Sequence, residues 1–157
     1  MDLEKSGRGR ADKLDRLEEL LGYRFRDREL LRRALTHPSY AFEHGQPSNE
    51  RLEFLGDAVL SLLVAERLYR DRPEAAEGDL TQRRAELVRG TYLAVKARDL
   101  QLGSFLGLGR GEEKQGGRRT PSNLANALEA VIGAIFLDGG LQSARQFIQR
   151  HFTAAAK

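Results

Sequence analysis

The sequence predicts an all-α fold on three observations. Apolar residues recur at spacings of three and four, helix-starting and helix-stopping residues flank these runs, and no stretch alternates apolar with polar residues as a half-buried strand would. With no internal repeat, the helices are expected to pack as one compact unit. In chain order, residues 1–11 are charged and contain two glycines, which predicts a mobile arm ahead of a domain over 12–157. Leu14, Leu17, Leu20 and Leu21 mark a helix over 13–21. Leu30, Leu31, Ala34 and Leu35 mark a short one over 27–37, with Asp27 as N-cap. The longest run covers 48–71, opened by Ser48 or Asn49 and stopped before Pro73. Further helices are expected over 79–89 and 91–100. Six glycines between Gly103 and Gly117, interleaved with Arg110 and Lys114 and followed by Arg118 and Arg119, predict a flexible basic connection. Thr120 as N-cap and Pro121 as first helical residue then open an apolar helix that ends at Gly139 and Gly140, and a last helix follows over 141–152.

Composition narrows the chemistry. The chain has 157 residues, 40% of them hydrophobic and 31% charged, which suits one globular domain. It contains no cysteine, so disulfides, zinc ribbons and thiol nucleophiles are excluded, leaving oxygen ligands, histidine or a bound cation. No uninterrupted run of about 18 apolar residues is present, and the N-terminus is charged without an apolar signal core. The expectation is therefore a cytoplasmic protein without a membrane partner. Of the 26 basic residues 21 are arginine, which suits phosphate recognition, although a coding bias toward arginine explains the same count. The net charge is only +3, so any basic surface must be a local patch.

The strongest chemical signal lies in residues 48–64, SNERLEFLGDAVLSLLV. On a helix Glu50, Glu53 and Asp57 fall within about 60° of one another. Leu60 and Val64 continue that stripe, and Leu52, Phe54, Leu55, Ala58, Val59, Leu62 and Leu63 fill the rest of the circumference, which predicts a largely buried helix. Clustered buried carboxylates cost several kcal/mol per ion unless a positive charge compensates. Arg51 is near in sequence but points away, so the alternatives are another arginine or a hard divalent cation, with Mg²⁺ favoured. In residues 122–140, SNLANALEAVIGAIFLDGG, Asn126 and Glu129 share a face of an otherwise apolar helix. Glu129 reads as a surface residue, as half of a structural ion pair, or as a ligand completing a two-helix metal site. His37, His44 and His151 lack metal-ligand spacing. His37 reads as a structural hydrogen-bonding residue and the other two as surface.

Five ordered segments carry a family resemblance: ALTHPSY at 34–40, NERLEFLGDAVL at 49–60, EGDLTQRRAELV at 77–88, LGRGEEKQGGRR at 108–119 and LEAVIGAIFLDGG at 128–140. Together they closely resemble the catalytic domain of bacterial ribonuclease III, the double-stranded RNA endonuclease, and span nearly all of the chain after about residue 13. The resemblance implies an all-α ribonuclease III endonuclease domain that homodimerises, with Phe54 at the interface. It implies Glu53, Asp57, position 126 and Glu129 as metal ligands, with Asp57 and Glu129 catalytic. Glu50 is implied near the dimer cleft, and Glu77 at the cleft through RNA or a metal's water shell. Mg²⁺, with Mn²⁺ as a substitute, would support hydrolysis of double-stranded RNA to 5′-phosphate products with short 3′ overhangs, in RNA processing such as that of ribosomal precursors.

Two departures qualify this expectation. Asn126 stands where the family pattern has aspartate, which removes a negative ligand and predicts reduced cleavage with RNA binding kept. Full bacterial members continue into a double-stranded RNA-binding domain, whereas this chain stops at HFTAAAK; the alternatives are truncation, which is favoured, and a naturally short relative, with weaker and more salt-sensitive binding expected. The alternative function is a non-catalytic dimeric module that binds double-stranded RNA. A third reading has the acidic pockets filled by internal arginine pairs, with no role in nucleic-acid chemistry.

Overall fold

A computed structural model describes residues 2–152, with side chains from Lys13 onward. It is all-α, as the periodicity predicts: α1 (Asp2–Leu21), α2 (Arg28–Ala34), α3 (Pro38–His44), α4 (Glu50–Asp71), α5 (Glu77–Val88), α6 (Gly90–Asp99), α7 (Arg110–Lys114) and α8 (Pro121–His151). α1 reaches back to Asp2, so the backbone is helical through most of the segment expected as an arm. Glu, Lys, Arg and Leu there favour helix enough to carry two glycines.

Local chemistry accounts for most helix boundaries. Asp27 caps α2 by accepting the Glu29 N–H at 3.0 Å. The helix expected over 27–37 ends at Ala34, because Thr36 and His37 leave it to pair with Gly107, where His37 N donates to Gly107 O at 3.0 Å. α3 lies in a stretch where periodicity predicts nothing. It is short enough to be set by its ends: the His37 ring accepts the Ser39 N–H, Pro38 occupies the first turn, and Gly45 closes it with a left-handed φ of 60°. At the start of α4, Asn49 makes no side-chain cap. Its amide donates to Ala34 O at 3.1 Å, pinning α4 to the end of α2, while Ser48 Oγ accepts the Glu50 N–H at 3.2 Å. Thr120 likewise supplies no side-chain cap to α8.

α8 is the central element, packed along α4 and α6 and touched by α2. Leu124, Leu128, Ile132 and Ile135 are essentially inaccessible, as are the alanines 127, 130 and 134 between them. An 18-residue window of α8 reaches a mean hydropathy of 1.5, so by length and composition this helix could cross a membrane, against the expectation drawn from uninterrupted runs. In this fold its apolar faces form the core. The helix breaks at Gly140 (φ 81°), and Asp138, just before the break, accepts the Tyr23 hydroxyl at 2.6 Å and the N–H groups of Arg26 and Asp27 at 2.9 Å each.

The glycine-rich segment after α6 is more ordered than its composition predicts. It contains a 3₁₀ turn at Leu102–Phe105, α7, and a second 3₁₀ turn at Gly117–Arg119. Arg118 holds it from within, donating to Gly103 O at 3.1 Å and Leu106 O at 2.6 Å while pairing with Glu113 at 2.8 Å. This arginine is engaged in structure rather than presented as part of a basic patch.

Candidate active site

The site is set where α4 and α8 touch backbone to backbone. A Cβ on Gly56 would lie 1.6 Å from Glu129 O, and one on Gly133 would lie 2.4 Å from Leu52 O. Only glycine permits that approach, and it brings Glu53 and Asp57 of α4 against Asn126 and Glu129 of α8. An isolated glycine inside each apolar helix pattern was the signal for it.

The predicted carboxylates meet, in environments that differ from those expected. α4 is not buried all round: Glu50, Phe54, Asp57, Ala58 and Leu62 are exposed, and Glu53 is half-buried. The sequence lacked the information that one apolar stripe of this helix has no neighbour within the chain. Burial, then the charges of Glu50 and Asp57, raise the Glu53 carboxyl above the usual range. Burial also acts first on Glu129, followed by a hydrogen bond shared with Asp57 and the charges of Asp57 and Glu53; together they push it up to about 8. With its amide oriented to satisfy both ends, Asn126 donates to Glu53 Oε1 at 3.2 Å and to Ser122 O at 3.3 Å.

Among the described residues, none of the ion pairs involves Glu50, Glu53, Asp57 or Glu129, which argues against the reading that arginines fill these pockets. The cluster's carboxylates offer oxygen donors and, among the described residues, form no ion pair, the donor chemistry of a hard dication. Among the described residues no three acidic or histidine side chains already converge as a ligand set, so the carboxylates must turn to close on an ion.

Glu50 lies at the rim, receiving the Ser48 hydroxyl at 3.0 Å. Glu77, in the first turn of α5, is exposed, accepts the Thr81 hydroxyl at 2.9 Å, and is not among the groups acting on Glu53 or Glu129. The chain alone does not bring it to the cluster. Sequence reasoning missed Asn123, a buried amide just ahead of the site. It donates to Glu112 Oε1 at 2.9 Å and Gly117 O at 3.1 Å, and its Oδ1 lies 3.1 Å from His37 Nε2. The His37 ring thus ties α3 to α8, the structural role expected of it. His44 is exposed and stacks on Tyr40, as expected of a surface residue. His151 departs from expectation: it is half-buried, with Nε2 2.7 Å from Leu21 O.

Comparison with known proteins agrees with the sequence resemblance. A family model described as Ribonuclease-III-like matches residues 27–155. Ribonuclease 3 of Pseudomonas aeruginosa is 53% identical over 138 residues, covering 88% of this chain and 58% of that protein. Ribonuclease 3 of Moorella thermoacetica is 55% identical over 130 residues, covering 82% and 56%. The chain thus spans less than two thirds of these relatives. The solved nuclease domain of ribonuclease III from Campylobacter jejuni, described as flexible in the region involved in dimer formation, superposes with a TM-score of 0.83 at 46% identity, covering 87% of this chain and 94% of that one.

Proposed function

Because the chain belongs to the ribonuclease-III-like family, we propose that it is the nuclease part of a Mg²⁺-dependent endoribonuclease that cuts double-stranded RNA. The observation that carries this reading is the cluster of Glu53, Asp57 and Glu129, held between α4 and α8 and, among the described residues, without an ion pair. When bound, Mg²⁺ supplies Lewis-acid stabilisation of the phosphodiester and a lowered water pKa. The chain's residues supply the rest. Glu53, Asp57 and Glu129 would hold the ion, with Asp57 and Glu129 closest to the chemistry, and Asn126 would offer one carbonyl oxygen in place of a carboxylate. Glu50 and Glu77 serve at the cleft toward RNA.

The product would carry a 5′ phosphate, because water would attack the phosphorus and the 3′ oxygen would leave, and two such sites in a homodimer would cut opposite strands at offset positions and leave a short 3′ overhang. The partner surface is the exposed stripe of α4, where Phe54 is 81% and Leu62 55% accessible. RNA processing in the cytoplasm is the setting proposed for this activity. Asn126 favours a second reading, a dimeric module that binds duplex RNA without cutting it, because the lost negative charge weakens hold on the ion.

The deciding experiment measures cleavage of a labelled RNA duplex over stepped Mg²⁺, comparing the chain with its Asn126→Asp form. Cleavage that rises about 10- to 100-fold or more in the aspartate form supports an impaired nuclease. Folded, RNA-binding but inert proteins in both forms would favour the binding module.

A further inference from the structure

We infer that Asn126 braces the acidic cluster as an internal substitute for a cation, so that the fold of this chain does not depend on the ion. The inference rests on the cation-site reading only for what added Mg²⁺ does. The Asn126 amide nitrogen carries two hydrogens, and it has two acceptors: Ser122 O, one turn back along α8 at 3.3 Å, and Glu53 Oε1, across on α4 at 3.2 Å. The first bond sets the direction of the side chain within its own helix. The second crosses to the neighbouring helix and meets the half-buried carboxylate.

Of the two acceptors, Ser122 O already takes the backbone N–H of Asn126 within α8, so the bond that matters is the one that crosses to Glu53. Among the described residues Glu53 takes part in no ion pair, while Glu50 and Asp57 add negative charge beside it. An ionised aspartate at 126 has no hydrogen to give, so it would set oxygens against both the Ser122 carbonyl and the Glu53 carboxylate. Such a site calls for a cation or a proton between its oxygens to relieve that repulsion. Asparagine removes that requirement, and with it a ligand charge. The same atom replacement therefore trades hold on the ion for stability without it.

The test is thermal unfolding of the whole chain in EDTA and in stepped Mg²⁺, for the parent, Asn126→Asp, Glu53→Gln and the double variant. In EDTA, Asn126→Asp should lower the melting temperature by roughly 5 °C. Adding Glu53→Gln should return most of that loss, since a glutamine amide at 53 donates to an aspartate at 126 and the bridge is restored with its direction reversed. Mg²⁺ should raise the Asn126→Asp protein more than the parent. Equal stability of parent and aspartate form in EDTA, or an equal loss with and without Glu53→Gln, overturns the proposal.

If Mg²⁺ stabilises no form while the EDTA pattern holds, the cation reading falls and the bracing role stands. If Mg²⁺ stabilises both forms without an EDTA difference, the cation site stands and the bracing role falls. Should the aspartate form fold only with Mg²⁺, that is the expected result at its extreme. Should it not fold at all, Asn126→Ala reads the same bridge in EDTA: a lower melting temperature supports it, and a parent-like one overturns it.

Discussion

Glu129 and His151 lie on opposite sides of the Gly140 break in α8, and burial drives their protonation in opposite directions. Each environment disfavours the charged form, which raises a carboxyl and lowers an imidazole. Burial is the main cause at His151. The Leu21 carbonyl that its ring meets opposes the shift, while Arg150 and Lys96 reinforce it. In the unfolded chain His151 takes a proton near the ordinary value of about 6.5, before the folded chain does. Its contribution to stability is therefore complete above that pH and is lost as pH falls toward the lowered folded value. His151→Gln, which keeps a donor for Leu21 O and does not titrate, should lose less melting temperature than the parent between about pH 7.5 and 5.5. Equal losses in the two proteins would remove His151 from the acid response.

At the scale of elements, the crossing of α4 and α8 converts two separate sequence motifs into one site. Gly56→Ala forces a methyl into the Glu129 carbonyl, where no flexible side chain can yield. The expected cost is about 3 kcal/mol, at the upper end for an overpacked core. Because the helices must part, any stabilisation of the protein by Mg²⁺ should shrink as well. Thermal scans of Gly56→Ala with and without Mg²⁺ check both effects, and a variant as stable as the parent would show that the crossing is not fixed by this contact. The segment between α6 and α8 shows the same dependence on partners. Its glycines allow turns in any setting, and the bonds from Arg118 to Gly103 O and Leu106 O select one set of them.

For the molecule as a whole, the arrangement of apolar surface is the most telling feature. α8 is enclosed, whereas α4 carries Phe54 and Leu62 outward on the stripe that also holds Ala58. Aromatic side chains this exposed are common anchors at protein interfaces. If a second copy covers the stripe, Phe54→Arg should weaken the dimer by about 2 kcal/mol or more, roughly 30-fold in dissociation constant. Sedimentation of parent and variant across a concentration series checks this. A parent that stays monomeric at concentrations of tens of micromolar, ~10⁻⁵ M, would remove the dimer and with it the paired cut of two strands.

Much of this was legible from residues alone, for reasons of local physics. The 3.6-residue period places leucines 14, 17 and 21 on one face of α1, Asp27 caps its own helix, and a proline and a glycine pair bracket the first part of α8. Each effect acts within a few positions along the chain, so sequence suffices to read it. The chemical identity of the cluster was legible too, because Glu53, Asp57 and Glu129 stand in ordered segments of a family pattern. The tertiary structure decided what depends on long-range neighbours: that Gly56 meets Glu129, that Asn126 faces Glu53, that His37 reaches Asn123, and that one stripe of α4 is left uncovered. Helical periodicity specifies which residues share a face but not what that face meets, and burial, charge and hydrogen bonding depend on what it meets.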